Sequence, residues 1–220
     1  MDSNSVSAIT GTDGTVLVEV VKATAVLIGS VAATVASIVA ICGINSWRRE
    51  FKGKRRIELA EDVLALFYQA RDAIASIRNP LSMGDELSAP PKENEPIEEK
   101  EARDKVHFIF KRCKDREELF SKLSSIRYRF MAQIGRDKVG PFDKIIEIVN
   151  EILIAARMLS YVWAKFLKCH SPERQEAYGE EMKKYEAKIY WAGEDDEIRK
   201  RVDEALSEME DTCREIIMKK

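Results

Sequence analysis

Residues 23–47 read Ala-Thr-Ala-Val-Leu-Ile-Gly-Ser-Val-Ala-Ala-Thr-Val-Ala-Ser-Ile-Val-Ala-Ile-Cys-Gly-Ile-Asn-Ser-Trp, with no charged side chain among them. Arg48-Arg49 and then Lys52, Lys54, Arg55 and Arg56 follow at once. At about 1.5 Å of rise per residue, some 23 helical residues reach about 35 Å, enough to cross a hydrocarbon core of about 30 Å with some tilt. Leu27, Ile28, Val31, Val35, Ile38, Val39 and Ile41 supply the apolar bulk. Ser30, Thr34 and Ser37 are compatible with lipid because a hydroxyl can return its hydrogen bond to the helix backbone. The stretch is therefore expected to be a single membrane-spanning helix.

Working outward, Trp47 stands where an interfacial aromatic is expected, and Arg48, Arg49, Lys52, Lys54, Arg55 and Arg56 form a basic collar for lipid headgroups. Glu50 is the one acid within the collar. On the other flank, residues 1–22 carry Lys22 against Asp2, Asp13 and Glu19. Lysines and arginines stay on the cytoplasmic side, so the N-terminus is expected outside and the larger C-terminal part inside. A cleaved signal peptide fits less well, because the chain starts acidic and a cation cluster follows the apolar run.

Ala25, Gly29, Ala33 and Ser37 recur every four residues and so line one face of the helix. Small side chains at that spacing let two helix backbones approach closely in a bilayer. This face is the candidate surface for pairing with a second copy; the alternative is a chance product of a composition rich in Ala, Gly and Ser.

The chain has 220 residues and a net charge of −2. Residues 1–22 sum to −2, residues 48–56 to +5 and residues 57–220 to −5. Roughly 165 residues beyond the span are enough for one domain with its own core. Its acidic balance argues against nucleic acid as a partner. The four cysteines, Cys42, Cys113, Cys169 and Cys213, are widely spaced with no CxxC, so no disulfide framework is expected on the cytoplasmic side. Cys42 reads as an ordinary buried thiol, with lipidation as the alternative.

Residues 1–14, rich in Ser, Thr, Gly and Asp, read as a disordered tail, and residues 15–47 as the transmembrane helix. From about Ile57 to Arg78, Ala60, Val63, Leu64, Phe67, Ala70, Ile74 and Ile77 share one helical face, and Asn79-Pro80 stops it. Residues 79–96 hold four prolines and net negative charge and are expected to be a flexible loop. One long helix is expected over 97–134, with a charged interruption at Lys114 to Glu118. Its face is Ala102, Val106, Ile109, Phe110, Cys113, Leu119, Phe120, Leu123, Ile126, Phe130 and Ile134. Pro141 opens a helix over 142–168, the most apolar soluble segment and so the expected centre of the core. Ser171-Pro172 starts a helix to about Trp191, ended by Gly193. Asp195 or Asp196 caps the last helix, whose stripe is Ile198, Val202, Leu206, Met209, Cys213, Ile216 and Ile217. Lys219 and Lys220 suit its C-terminal dipole. No strand-like alternation competes, so the fold class is all-α: a membrane helix followed by an antiparallel bundle over residues 57–220.

Chemistry is sparse. His107 and His170 are the only histidines: Cys169 adjoins His170, but helix neighbours point in different directions, and Asp104-x-x-His107 occurs once where a di-iron bundle needs Glu-x-x-His on two helices. Glu147 with Glu151 and Glu58 with Asp62 lie four apart on amphipathic helices, where solvated faces are the ordinary outcome. No phosphate-binding glycine loop or nucleophile elbow occurs. No metal, cofactor or catalytic residue is therefore expected. Arg127-Tyr128-Arg129 alternates cations with an aromatic and is the candidate contact for an acidic partner or headgroups; the alternative is that the arginines pair with neighbouring carboxylates.

Arg103-Asp104-Lys105-Val106-His107 is similar to the Arg-x(4–6)-His motif of HEPN ribonucleases, with a spacer one residue short, so a helical RNase is a remote alternative. Three stretches resemble a family of membrane-anchored bacterial proteins of unknown function: Ile44 to Pro80, beginning Ile-Asn-Ser-Trp-Arg-Arg-Glu; Arg-Tyr-Arg-Phe-Met at 127–131; and Pro-Phe-Asp-Lys-Ile-Ile-Glu-Ile-Val-Asn-Glu at 141–151. The resemblance implies a bacterial inner-membrane setting and no activity. The expected function is a non-enzymatic single-pass protein whose bundle binds a protein partner or self-assembles. The alternative is a membrane-associated stress or phage-defence effector.

Overall fold

The computed structural model describes residues 9–81, 86 and 88–218, with side chains from Val16 onward, Glu194 excepted. Among them there is no strand. Six α-helices follow one another: α1 (Ile9–Ile77), α2 (Ile97–Asp115), α3 (Glu117–Gln133), α4 (Gly140–Lys168), α5 (Pro172–Ile189) and α6 (Glu197–Met218). Short 3-10 turns at Arg136–Lys138 and Gly193–Asp195 precede α4 and α6. The chain divides into two compact units, Met1–Lys54 and Arg55–Lys220.

The first unit is helix throughout its described length. Its large apolar side chains from Val16 to Ile44 lie open, between 52% exposed at Val18 and 71% at Val26. The hydroxyls of Ser30, Thr34 and Ser37 act as the sequence suggests, donating to Leu27 O, Ser30 O and Ala33 O at 2.8 Å, and that of Thr24 shares its one proton between Val20 O and Val21 O at 2.9 Å. The expected disordered tail overlaps α1 over residues 9–14. Extending a formed helix by a residue costs far less than nucleating one, so the helix already formed from Val16 onward carries the polar residues before it. Residues 1–8 of that tail lie outside the described residues, as do Lys219 and Lys220. Gly43 and Gly53 do not interrupt the helix.

The second unit is built around α4, which packs against α2, α3, α5 and α6. Pro141 occupies its first turn, and Ile145, Ile148, Ile152, Ala155, Ala156, Leu159 and Val162 are buried along it. The expected face of α1 is buried at Ala60, Val63, Phe67, Ala70, Ile74 and Ile77, with Leu64 partly covered. Phe142 joins three helices: its ring meets Phe67 of α1 edge-on at 5.0 Å and Phe130 of α3 at 5.6 Å. Burying aromatic rings in this offset way adds to the area they remove from water.

Two local expectations are corrected. The single helix over 97–134 is two helices, broken at Arg116 (φ −106°, ψ 8°) inside the charged Lys114–Glu118 stretch. No apolar side chain there rewards continuation, and the Arg116 N–H turns back to Cys113 O. The helix begun at Pro172 ends at Ile189, before Trp191, because Tyr190 is extended (φ −107°, ψ 149°). Asp196 is the cap of α6: its Oδ1 accepts the Arg199 N–H at 3.0 Å. Gly135 takes φ +150° and ψ 153°, a region open essentially to glycine alone, and a Cβ there would meet Asp137 Oδ1 at 2.6 Å.

Candidate functional site

Each face singled out in the sequence has a place. Ala25, Gly29, Ala33 and Ser37 share one side of α1, and a Cβ added at Gly29 would have open space within 4 Å beyond its own turn of helix. Trp47 is 63% exposed and its ring stacks on Phe51 at 5.8 Å. Arg48, Arg49, Lys52, Lys54 and Arg55 are exposed on the helix that continues the apolar run. Cys42 is exposed rather than buried, because nothing of the chain packs on that stretch.

Arg56, expected to serve headgroups, has its guanidinium occupied: Nε and Nη2 donate to Gln133 O at 3.0 and 2.7 Å. Gln133 ends α3, so Arg56 satisfies a carbonyl that the helix itself leaves without a partner. Two further arginines do the same for other helices, and neither was legible as functional.

Arg78 is 2% exposed. Its Nε donates to Lys188 O at 2.8 Å, its Nη2 to Ala187 O and Tyr190 O, and its Nη1 to Asp196 Oδ1 at 2.8 Å. It thus closes the C-terminal end of α5 and ties it to the start of α6. Trp191 N–H donates back to Arg78 O at 3.1 Å. Burial opposes ionisation of Asp196, but the Arg78 guanidinium and the N–H groups of Arg199 and Ala192 outweigh it and hold this carboxyl below its ordinary pKa.

Arg112 donates to Ser76 O and Asn79 O at the end of α1, and to Leu81 O. It also grips Glu86 with two bonds, at 3.0 and 2.6 Å. The expected flexible loop is anchored further on as well. Asp104 accepts the Ala89 N–H at 2.7 Å, and Arg103 pairs with both Glu95 oxygens and donates to Pro90 O. Residues 82–85 and 87 of the loop lie outside the described residues. Arg103, the arginine of the HEPN-like stretch, is thus engaged by Glu95 four residues before His107.

The Arg127-Tyr128-Arg129 cluster divides three ways. Arg127 pairs with Asp143 of α4 at 2.7 Å, its buried Nε lacking a partner. Tyr128 is 64% exposed. Arg129 is exposed and lines a shallow groove of about 410 Å³ with Asp62, Leu66, Gln69 and Lys122. A larger cleft, about 710 Å³, lies elsewhere, between the end of α1 and the start of α6, with Trp191, Arg71 and Arg199 among its lining residues. Burial pushes the Cys113 and Cys213 thiols up to about 11, so both remain protonated and unreactive at neutral pH. Among the described residues no group of three His, Cys, Asp or Glu side chains gathers to hold a metal.

Comparison of the chain with family models, with curated proteins and with solved structures returns no match.

Proposed function

We propose that this is a non-enzymatic, single-pass membrane protein whose antiparallel helical bundle binds a protein partner or assembles with itself. In this reading α1 crosses the bilayer with the N-terminus outside, and the bundle lies in the cytoplasm of a bacterial cell. The observation that carries it is the uncharged run of open apolar side chains from Val26 to Ile44, ended by Trp47 and the cations after it. That much contiguous apolar surface has no place in water, and lipid is the solvent that suits it. An antiparallel bundle is supported by the pairing of α1 with α3. Arg56 lies by Gln133, and the groove beyond places Asp62 to Gln69 beside Arg129 to Lys122, so chain numbers rise on one helix as they fall on the other. The non-enzymatic part is supported by how the buried and partly buried charges are used: Arg78, Arg103 and Arg112 each bind carbonyls and a carboxylate of the chain itself.

The test is extraction and capture. The full chain expressed in bacteria should stay with the membrane after an alkaline carbonate wash, and crosslinking in those membranes should trap a second copy or a discrete protein partner. A chain released by the wash overturns the anchor, and a chain that cleaves RNA, with cleavage lost in His107→Ala, overturns the non-enzymatic reading.

A further inference from the structure

We propose that the turn between α3 and α4, residues 134–140, is a second headgroup-binding element that seats the helical domain on an anionic membrane surface; this rests on the membrane reading above. Charge along the chain assigns the lipid contact to the stretch that directly follows the apolar helix. The fold adds a remote segment to it. Arg56 holds Gln133 O with two hydrogen bonds, so the end of α3 lies where α1 enters the second unit at Arg55. The direction of the α1–α3 pairing carries everything earlier in α3 away from that end and leaves the turn there. The turn projects Arg136, exposed, and Lys138, half-exposed.

Arg55, Arg56, Arg136 and Lys138 stand at this end against Glu58 and Asp137, which leaves two net positive charges on a domain whose residues 55–220 sum to −3. A cationic end on an otherwise acidic domain is complementary to anionic headgroups, and repulsion of the rest of the domain from the same surface selects one orientation. The turn is also rigidly placed. Gly135 holds its open conformation (φ +150°), the Phe142 N–H donates to Val139 O at 3.0 Å, and Val139 is buried. Its two cations are thus presented without a large loss of backbone freedom.

The experiment is amide hydrogen exchange on the full chain in lipid nanodiscs, either zwitterionic or containing phosphatidylglycerol. Exchange across residues 134–140 should slow by about fivefold or more in the anionic discs, the factor that about one lysine or arginine gains at an anionic surface. The turn at 190–196, at the other end of α1's path through the domain, should not change. Arg136→Glu with Lys138→Glu should abolish the lipid dependence while leaving exchange within α4 as in the parent chain. Equal exchange at 134–140 in the two kinds of disc overturns the seat alone. A chain that does not enter discs of either kind overturns the membrane reading, and the seat with it.

Discussion

Arginine is used in this protein as a helix terminator. Three helices end on carbonyls with no partner in their own helix, and in each case a guanidinium from elsewhere supplies the donors: Arg112 for α1, Arg56 for α3 and Arg78 for α5. Arg78 is the one whose loss costs most, because its partner Asp196 is wholly buried. Arg78→Met leaves that carboxylate without its counter-charge and removes donors from three carbonyls, which should destabilise the domain by about 3–5 kcal/mol in chemical denaturation. Arg78→Lys should recover little, since an ammonium cannot span the same acceptors. The pair also sets an acid limit. The Asp196 pKa is lower folded than unfolded, so its stabilisation is complete above the ordinary aspartate value and is lost as pH falls through the lowered one. The acid-side loss of stability should therefore be shallower in Asp196→Asn than in the parent. A second backbone requirement lies at Gly135, where Gly135→Ala should cost about 1–3 kcal/mol by the same measurement. A cap at Asp195 or Asp196 was legible from the residues around it, and the fold selects Asp196. Arg78 was not: its partner lies 118 residues away, and an arginine beside a helix stop looks like any solvated cation.

At the scale of the element, hydrophobic period placed the buried faces well. Ala60 to Ile77 on α1 and Ile198 to Cys213 on α6 are buried where the 3.6-residue spacing puts them. It failed where apolar content is thin. Phe108 is 4% exposed yet falls off the expected stripe of α2, because its ring stacks on Tyr190 at 5.9 Å, a residue beyond the end of α5. Charge links between elements are equally invisible to a period. Glu147 and Glu151 appeared as a solvated pair, yet Glu151 on α4 binds both Lys188 of α5 at 2.9 Å and Arg201 of α6. Burial disfavours its ionised form, but these two cations prevail and lower its pKa. Glu151→Gln should thus cost about 1 kcal/mol at neutral pH, and the difference from the parent should vanish as pH falls through the lowered value, below the ordinary glutamate range. A neutral-pH difference that persists unchanged into acid would assign the effect to packing instead.

For the molecule as a whole, the proposed span decides what association is possible. Two chains so anchored in one bilayer would meet first through their membrane helices, and the face of α1 proposed for close approach is Ala25, Gly29, Ala33 and Ser37. The hydroxyl of Ser37 is already bonded to Ala33 O at 2.8 Å, so pairing along this face strands no donor. Gly29 gives the clean test, because a Cβ there has open space beyond the adjoining turns of its own helix, so bulk added on this face acts chiefly against a second helix. Energy transfer between donor- and acceptor-labelled full chains in vesicles should fall severalfold for Gly29→Leu, and should not change for Ile28→Leu, which keeps the face intact. Transfer equal in the two variants would move any self-assembly to the helical domain. Topology is tested in the same chain with the native cysteines replaced. A cysteine introduced at Ser5 should react with a membrane-impermeant maleimide in intact cells, and one at Ser207 only after lysis. The opposite pattern would place the arginine-rich end outside, against the force that keeps lysines and arginines on the cytoplasmic side.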